Sequence, residues 1–240
     1  MRRLSLTLLL TLAMARPVWA QDAPSPGVIR WYEAGGAAAG ILVLMLADEP
    51  VQRFAQRNRS PTSDDIAAVV RHMGQPEVYV TTSLGLIAVG LAARNPHIAK
   101  AGGRAAASIA IAAAIELSLK VIIGRARPDS GLGSTHFDSF SIQSRSMPSG
   151  HSALSFALAT SLAGEVRPIW ARVGLYGLAT ATALSRVNDD RHWLSDITAG
   201  SLIGVTSAKL VGGKWQVFGL RPPVFLVASS GTSVGWTFSF

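Results

Sequence analysis

The 240-residue chain has no cysteine, few charged residues and no apolar run as long as a usual membrane span. Without cysteine it can form neither disulfide bonds nor thiolate metal sites, so a packed core must stabilise the fold. Apolar residues make up 49% of the chain and charged residues only 15%, which supplies material for such a core. The many alanines and the 23 glycines favour closely approaching helices over sheets. We therefore predict an all-α fold.

Acidic residues are scarce relative to basic ones, and the formal net charge is +8. This balance suits an anionic partner, such as a phosphorylated substrate or an anionic lipid surface. The basic residues are scattered or lie in short motifs, without the long basic stripe and interleaved aromatic residues of a nucleic-acid groove. We expect no nucleic-acid partner.

The first twenty residues have the three parts of a secretory signal. Basic Arg2 and Arg3 precede an apolar stretch from Leu4 to Met14, and small residues end the segment at Ala20. We predict a signal peptide over residues 1–20, a helical domain over residues 21–212 and a tail over residues 213–240. An uncleaved anchor helix is the alternative, although the apolar stretch is short for a bilayer crossing. The expected location is the periplasm.

Six apolar segments, separated by polar or Gly/Pro-bearing connections, predict six helices. They are Ala34 to Ala47, Val78 to Ala93, Ala105 to Leu119, Ser152 to Gly164, Val173 to Leu184 and Ile197 to Val211. The polar connections at residues 52–75 and 124–147 are predicted surface excursions. In the tail, residues 223–228, a Ser-Ser-Gly-Thr turn and the alternation from Val234 to Phe240 indicate a β-hairpin whose apolar side should pack on something.

The sequence leaves the relation of these helices to a membrane open. Each run is short, and several consist mostly of small residues that insert weakly. If the first segment spans, counting crossings places the loop after Leu119 in the cytoplasm. The basic connection from Arg94 to Arg104 places that loop outside. The bundle is therefore either packed on itself in the periplasm, which we favour, or embedded in or docked on the inner membrane with its site facing the periplasm.

Three short clusters contain residues suited to catalysis. Lys120, Arg125 and Arg127 gather where the third helix ends, Ser149, Gly150 and His151 open the fourth, and Arg186, His192 and Asp196 precede or open the last. Each has a structural explanation by itself: cations stabilise helix C-termini, Ser149 can act as an N-cap, and Asp is common in a first helical turn. The i,i+4 spacing of His192 and Asp196 also lets the carboxylate orient the imidazole for nucleophilic attack.

Taken in order, Lys-x6-Arg-Pro, Pro-Ser-Gly-His and Ser-Arg-x5-His-x3-Asp resemble the signature of the type 2 phosphatidic acid phosphatase (PAP2) superfamily, which includes the vanadate haloperoxidases. The resemblance covers residues 120–196, and every specified position is filled. It implies a six-helix bundle of the PAP2/haloperoxidase type with the motifs at one end, followed here by the short β-hairpin.

The resemblance also implies roles for the motif residues. Lys120, Arg127 and Arg186, with Ser149 and the Gly150 amide, would bind the phosphate oxygens. His192 would attack phosphorus, Asp196 would orient it, and His151 would protonate the leaving oxygen. Fixed cations would neutralise charge without a metal or other cofactor, so chelators should not inhibit. Arg125 and Arg191 occupy variable positions of the motifs and are expected to matter far less.

The implied activity is a phosphatase acting on phosphomonoesters or pyrophosphates, preferably of lipids, through a phosphohistidine. Four alternatives stay open at this point. They are a soluble periplasmic non-specific acid phosphatase, a vanadate-dependent haloperoxidase, a non-catalytic protein that kept the fold, and phosphoryl transfer to a hydroxyl acceptor in place of water.

Overall fold

A computed structural model of the protein describes residues 26–140, 145–218, 224–228 and 231–235. Within these residues the chain is mainly helical, as predicted. The helices are α1 (Trp31–Leu44), α2 (Asp48–Arg57), α3 (Pro61–Met73), α4 (Pro76–Ala92), α5 (Pro96–Ile123), α6 (Gly150–Ala163), α7 (Ile169–Asn188) and α8 (Leu194–Val211). Short 3₁₀ turns at Met45–Ala47 and Pro128–Ser130 complete the helical structure.

The six predicted helices correspond to α1 and α4 to α8, but α2 and α3 lie where the sequence predicts a polar surface connection. Both are helical because their local signals are strong. The side chain of Ser60 accepts a hydrogen bond from the Ser63 amide and Pro61 occupies the first turn of α3, a favourable pair of start signals. The 3₁₀ turn joins α1 to α2, so residues 31–57 form one continuous helical run.

Within the described residues, four short strands accompany the helices. The predicted tail hairpin is present as β3 (Val224–Ala228) and β4 (Gly231–Gly235), antiparallel with Val224 opposite Gly235. A parallel pair that the sequence did not indicate joins β1 (Gly27–Ile29) to β2 (Trp215–Val217). The predicted signal segment, the hairpin's side chains and its aromatic end lie outside the described residues.

Helix α6 occupies the centre of the bundle and packs against α4, α5, α7 and α8. Its contact with α8 is close because α8 carries glycine where the two helices meet. A Cβ built on Gly200 would lie 2.3 Å from the Ser149 carbonyl oxygen, and one on Gly204 would lie 2.3 Å from that of Ala153. The close packing of α6 on α8 brings the start of α6 directly against the start of α8.

Many large apolar side chains are exposed on the outer surface of the bundle, whereas the buried core contains mostly alanine. Helix α1 has no buried residue, and its exposed side chains include Trp31, Leu42 and Val43. The run of residues 31–57 and helix α5 are long and apolar enough to cross a membrane, by length and composition.

Candidate active site

The three sequence motifs meet at one end of the bundle, where α5 and α7 end and α6 and α8 begin. Backbone contacts fix this meeting point: the Ser149 amide, at the start of α6, donates to the Asp196 carbonyl oxygen, in the first turn of α8, at 3.0 Å. Helix α5 contributes Lys120 in its last turn, and Gly124, which caps its C-terminus with a left-handed φ of 58°, turns the chain toward Arg125. The structure therefore brings together every residue that the sequence predicted for the site.

His192 and Asp196 lie on one face, as their spacing predicts, but a third residue connects them. The His192 Nδ1 atom is 3.7 Å from Asp196 Oδ2, too long for a hydrogen bond. The Ser146 hydroxyl donates to that same oxygen at 2.5 Å and lies 3.5 Å from His192 Nδ1. The Trp193 amide also donates to Asp196 Oδ2, at 2.9 Å. Since Nδ1 is directed to this group, Nε2 is the nitrogen left to face a substrate.

The other carboxylate oxygen of Asp196 is held by Arg125. Arg125 Nη1 donates to Asp196 Oδ1 at 2.7 Å, and its Nη2 donates to Asp48 Oδ2, on α2, at 2.6 Å. The Ser195 hydroxyl lies 2.6 Å from both Arg125 Nη1 and Asp48 Oδ2. Arg125, Asp48 and Asp196 are all completely buried. We call the set Asp48, Arg125, Ser146, Ser195 and Asp196 the Asp196 network.

Arg125 occupies a variable position of the motifs, and the structure places it at the centre of this network. Its guanidinium is buried between two carboxylates and also lies over the rings of Trp193 and Phe137, at 5.6 and 5.7 Å from their centroids. Asp48 was not singled out from the sequence, because a carboxylate at the end of an apolar segment resembles an ordinary surface residue. Arg191, also at a variable position, is half-exposed and pairs with Asp129.

Lys120 and Arg186 lie close to both histidines, and Arg127 lies close to Arg186. We call these three cations the phosphate cradle, after the role that the motif resemblance implies for them. Lys120 is paired with Glu116 one turn earlier, and Arg186 Nη1 lies 2.9 Å from Asp189 Oδ2. Among the residues that the structure describes, Arg127 Nε and Arg186 Nε are buried without a hydrogen-bond partner. Buried donors are nearly always satisfied in native proteins, so two orphaned ones in one cationic cluster indicate a site for an acceptor that binds there.

The start of α6 is built for close approach. Ser149 is completely buried, and its hydroxyl accepts a hydrogen bond from the Ser152 hydroxyl at 3.1 Å. A Cβ on Gly150 would lie 2.8 Å from Glu116 Oε1, so a larger residue here would require the Glu116 side chain to move. The free amides of a helix N-terminus attract anions, which suits a phosphate at this position.

The electrostatics of the site favour neutral imidazoles in the free protein. Burial, together with the charges of Arg186, His192, Lys120 and Arg71, lowers the pKa of His151 to about 4. Burial also lowers the pKa of His192, although Asp196 opposes this. Burial alone would raise the pKa of Asp196, but His192, Arg125 and Ser146 together hold the pKa below its ordinary value. Asp196 is therefore a carboxylate beside a neutral His192.

Known proteins share both the sequence pattern and the architecture. The chain is 35% identical over 98 residues to the lipid A 1-phosphatase of Porphyromonas gingivalis, across 40% of this chain and 19% of that protein. The match therefore spans about a fifth of that relative's length.

Two solved structures have a similar fold at 20% identity. The first transmembrane PAP2 type phosphatidylglycerolphosphate phosphatase from Bacillus subtilis superposes with a TM-score of 0.61, covering 76% of this chain and 95% of that one. LpxE from Aquifex aeolicus superposes with a TM-score of 0.54, covering 67% and 92%. The sequence model of the PAP2 superfamily matches residues 101–227, more than half of the chain and the whole span of the three motifs. On this match and the shared fold, the protein belongs to the PAP2 superfamily.

Proposed function

We propose that this protein is a phosphatase that hydrolyses phosphate esters of lipids through a phosphohistidine on His192. The observation that carries the proposal is the pair of orphaned, buried donors, Arg127 Nε and Arg186 Nε, in the same cluster as two neutral imidazoles. A phosphoryl group supplies the acceptor oxygens that these donors need, and guanidinium groups bind such oxygens in a fixed geometry.

In the proposed mechanism, the cradle cations hold the non-bridging oxygens while His192 Nε2 attacks phosphorus in line. Asp196 and Ser146 keep the attacking imidazole in the correct tautomer and stabilise the positive charge that develops on it. The bond from phosphorus to the leaving oxygen breaks, and that oxygen takes a proton from His151. Water then attacks the phosphohistidine, with His151, now neutral, as the base.

The low pKa of His151 in the free protein fits this role only when the substrate is bound. A phosphate dianion places negative charge against His151 and opposes the effect of the surrounding cations, so binding raises its pKa toward that of a useful acid. His192, in contrast, must stay neutral to attack. The burial that lowers its pKa favours that state.

The preference for lipid substrates is supported by the surface of the bundle. Helix α1 presents only exposed or half-exposed side chains, many of them large and apolar, and α5 carries further exposed apolar residues near Lys120. The three similar proteins include two whose names state a lipid phosphate as substrate. An apolar surface that reaches the catalytic end lets a lipid present its headgroup without leaving the membrane.

We further propose that α5 lies in the membrane and that the catalytic end faces the periplasm. The first ten residues of α5 contain Lys100 and Arg104, and Arg94 comes just before the helix. A 28-residue helix is roughly 40 Å long, so these cations lie at the end opposite Lys120. Basic residues next to membrane spans favour the cytoplasmic side of the membrane. The start of α5 would then lie on the cytoplasmic side and the catalytic end on the periplasmic side.

The proposal is tested by phosphate release from a panel of lipid and water-soluble phosphoesters in mixed micelles, with EDTA present. His192→Ala should abolish release, whereas His97→Ala should not, because His97 is exposed at the opposite end of the bundle. The wild type should prefer lipid phosphates and should carry an acid-labile phosphoryl group during turnover. Equal turnover of short soluble esters would contradict the lipid preference, and release that survives in His192→Ala would contradict the mechanism.

A further inference from the structure

Arg71, in the last turn of α3, lies beside the phosphate cradle although none of the three motifs contains it. Its Nη1 atom is 2.7 Å from Asp189 Oδ2, and Arg186 Nη1 is 2.9 Å from that same oxygen. One carboxylate oxygen thus holds two guanidinium groups. The arrangement places Arg71 next to a cradle cation.

The end of α3 also lies against His151. A Cβ built on Gly74, which caps the C-terminus of α3, would be 3.2 Å from both the Arg71 carbonyl oxygen and His151 Cδ2. The Thr182 hydroxyl donates to the Val70 carbonyl oxygen at 3.3 Å, which ties the same turn to α7. Arg71 therefore belongs to the side of the site on which His151 lies, and its charge contributes to the low pKa of that histidine.

The two arginines that share Asp189 differ in accessibility. The Arg186 side chain is 10% exposed, whereas that of Arg71 is 40% exposed. A guanidinium has five N–H donors, and the contact with Asp189 uses Nη1, which leaves others for an anion at the mouth of the site. Because Arg71 is this exposed, its ion pair with Asp189 contributes little to the stability of the fold. Stability alone therefore does not explain why a positive charge lies at this position.

In an in-line displacement, the leaving group departs on the side opposite the nucleophile, which here is the side of His151. We propose that Arg71 binds a phosphate carried by the leaving group, so that the site prefers diphosphate monoesters to simple phosphate monoesters. This inference rests on the proposed phosphatase function and names the substrate class for that site. A neutral alcohol leaving group gives Arg71 nothing to bind, whereas a departing phosphate monoester gives it an anion.

The reaction balances without a further reagent. His192 Nε2 forms a bond to the terminal phosphorus, and the bond from that phosphorus to the bridging oxygen breaks. The bridging oxygen keeps the electron pair and takes the proton of His151, so the product leaves as a phosphate monoester bound at Arg71. Water then releases inorganic phosphate from His192. Because a phosphate is a better leaving group than an alkoxide, this substrate also tolerates a weaker contribution from His151.

The test compares dodecyl diphosphate with dodecyl monophosphate, the same chain in the same detergent, for the wild type, Arg71→Gln and Arg71→Lys. Arg104→Gln is the matched control, since Arg104 is similarly exposed and its Nη1 also lies 2.7 Å from a carboxylate, that of Glu165, at the opposite end. The wild type should prefer the diphosphate in kcat/KM. Arg71→Gln should lower the ratio of diphosphate to monophosphate turnover by about 10- to 100-fold, the range for one charge-assisted hydrogen bond.

Most of this loss should appear in the diphosphate reaction, and Arg71→Lys should recover part of the ratio because it restores the charge. Arg104→Gln should leave the ratio unchanged. An equal decline on both substrates in Arg71→Gln, or a wild type that prefers the monophosphate, overturns the inference while the phosphatase function stands. No His192-dependent release from either substrate overturns the proposed function and this inference with it.

Discussion

Arg125 and Asp196 form an ion pair of 2.7 Å in which both side chains are completely buried. Asp48 accepts the opposite side of the same guanidinium at 2.6 Å. A carboxylate on α2, 148 positions before Asp196 in the numbered sequence, is thus connected through one arginine to the carboxylate that lies beside His192. The predictions below concern this network, the protonation of His151 and the packing of α6 on α8.

Arg125→Ala should destabilise the protein severely, and far more than Arg191→Ala. Removing the buried guanidinium leaves two buried carboxylates without a counter-charge, which costs about 3–5 kcal/mol in comparable sites. Arg191 is half-exposed, and loss of its pair with Asp129 should change the free energy of unfolding by less than about 1 kcal/mol. Thermal unfolding of the purified variants measures both. Similar stability for the two would contradict the role given to the Asp196 network.

Ser146→Ala should lower kcat by about 10- to 100-fold with little change in KM. The variant removes the hydroxyl that connects Asp196 to His192, while the cradle cations that bind phosphate stay in place. Ser201→Ala is the control, because its hydroxyl donates within α8 to the Ile197 carbonyl oxygen. The measurement is kcat and KM of each variant on one lipid phosphate. A rise in KM with unchanged kcat would show that Ser146 contributes to substrate binding and not to the orientation of His192.

Anion binding should take up a proton on His151. Since its pKa in the free protein is about 4 and a bound dianion raises it, protonation and anion binding favour each other. Affinity for sulfate, which stays dianionic, should therefore increase as the pH falls from 7 toward 5, by at most about tenfold per pH unit for one proton. Calorimetry in buffers of different ionisation enthalpy measures the uptake. The same dependence in His151→Ala would show that another group takes the proton.

Gly200→Ala should disturb both stability and the site, whereas Gly177→Ala should be tolerated. The added Cβ would lie 2.3 Å from the Ser149 carbonyl oxygen, so α8 would have to move away from the start of α6. Nothing lies within 4 Å of a Cβ on Gly177, in α7, where alanine should stabilise the helix by about 0.5–1 kcal/mol. Melting temperatures and phosphate release from the two variants provide the check, and a fully active Gly200→Ala would refute the close packing.

The local patterns of the sequence predicted most of the helices and the hairpin, because apolar segments, proline starts and glycine turns act over a few residues. They missed α2 and α3, whose polar outer faces resemble connections. A helix of this kind is recognised from the residues it covers, such as Val187, whose carbonyl oxygen accepts from Gln56 at 3.0 Å. Those partners are distant in sequence.

The features of the candidate site were likewise only partly predictable from the sequence. The motif spacing by itself determined which cations, histidines and carboxylate belong together, since the i,i+4 relation of His192 to Asp196 follows from helical geometry alone. Only the tertiary structure decided how Asp196 is held, that Arg125 is buried between two carboxylates, and that Arg71 shares Asp189 with Arg186. The physical reason is that burial and ion pairing depend on which helix ends meet, and that meeting is set by the packing of α6 on α5, α7 and α8.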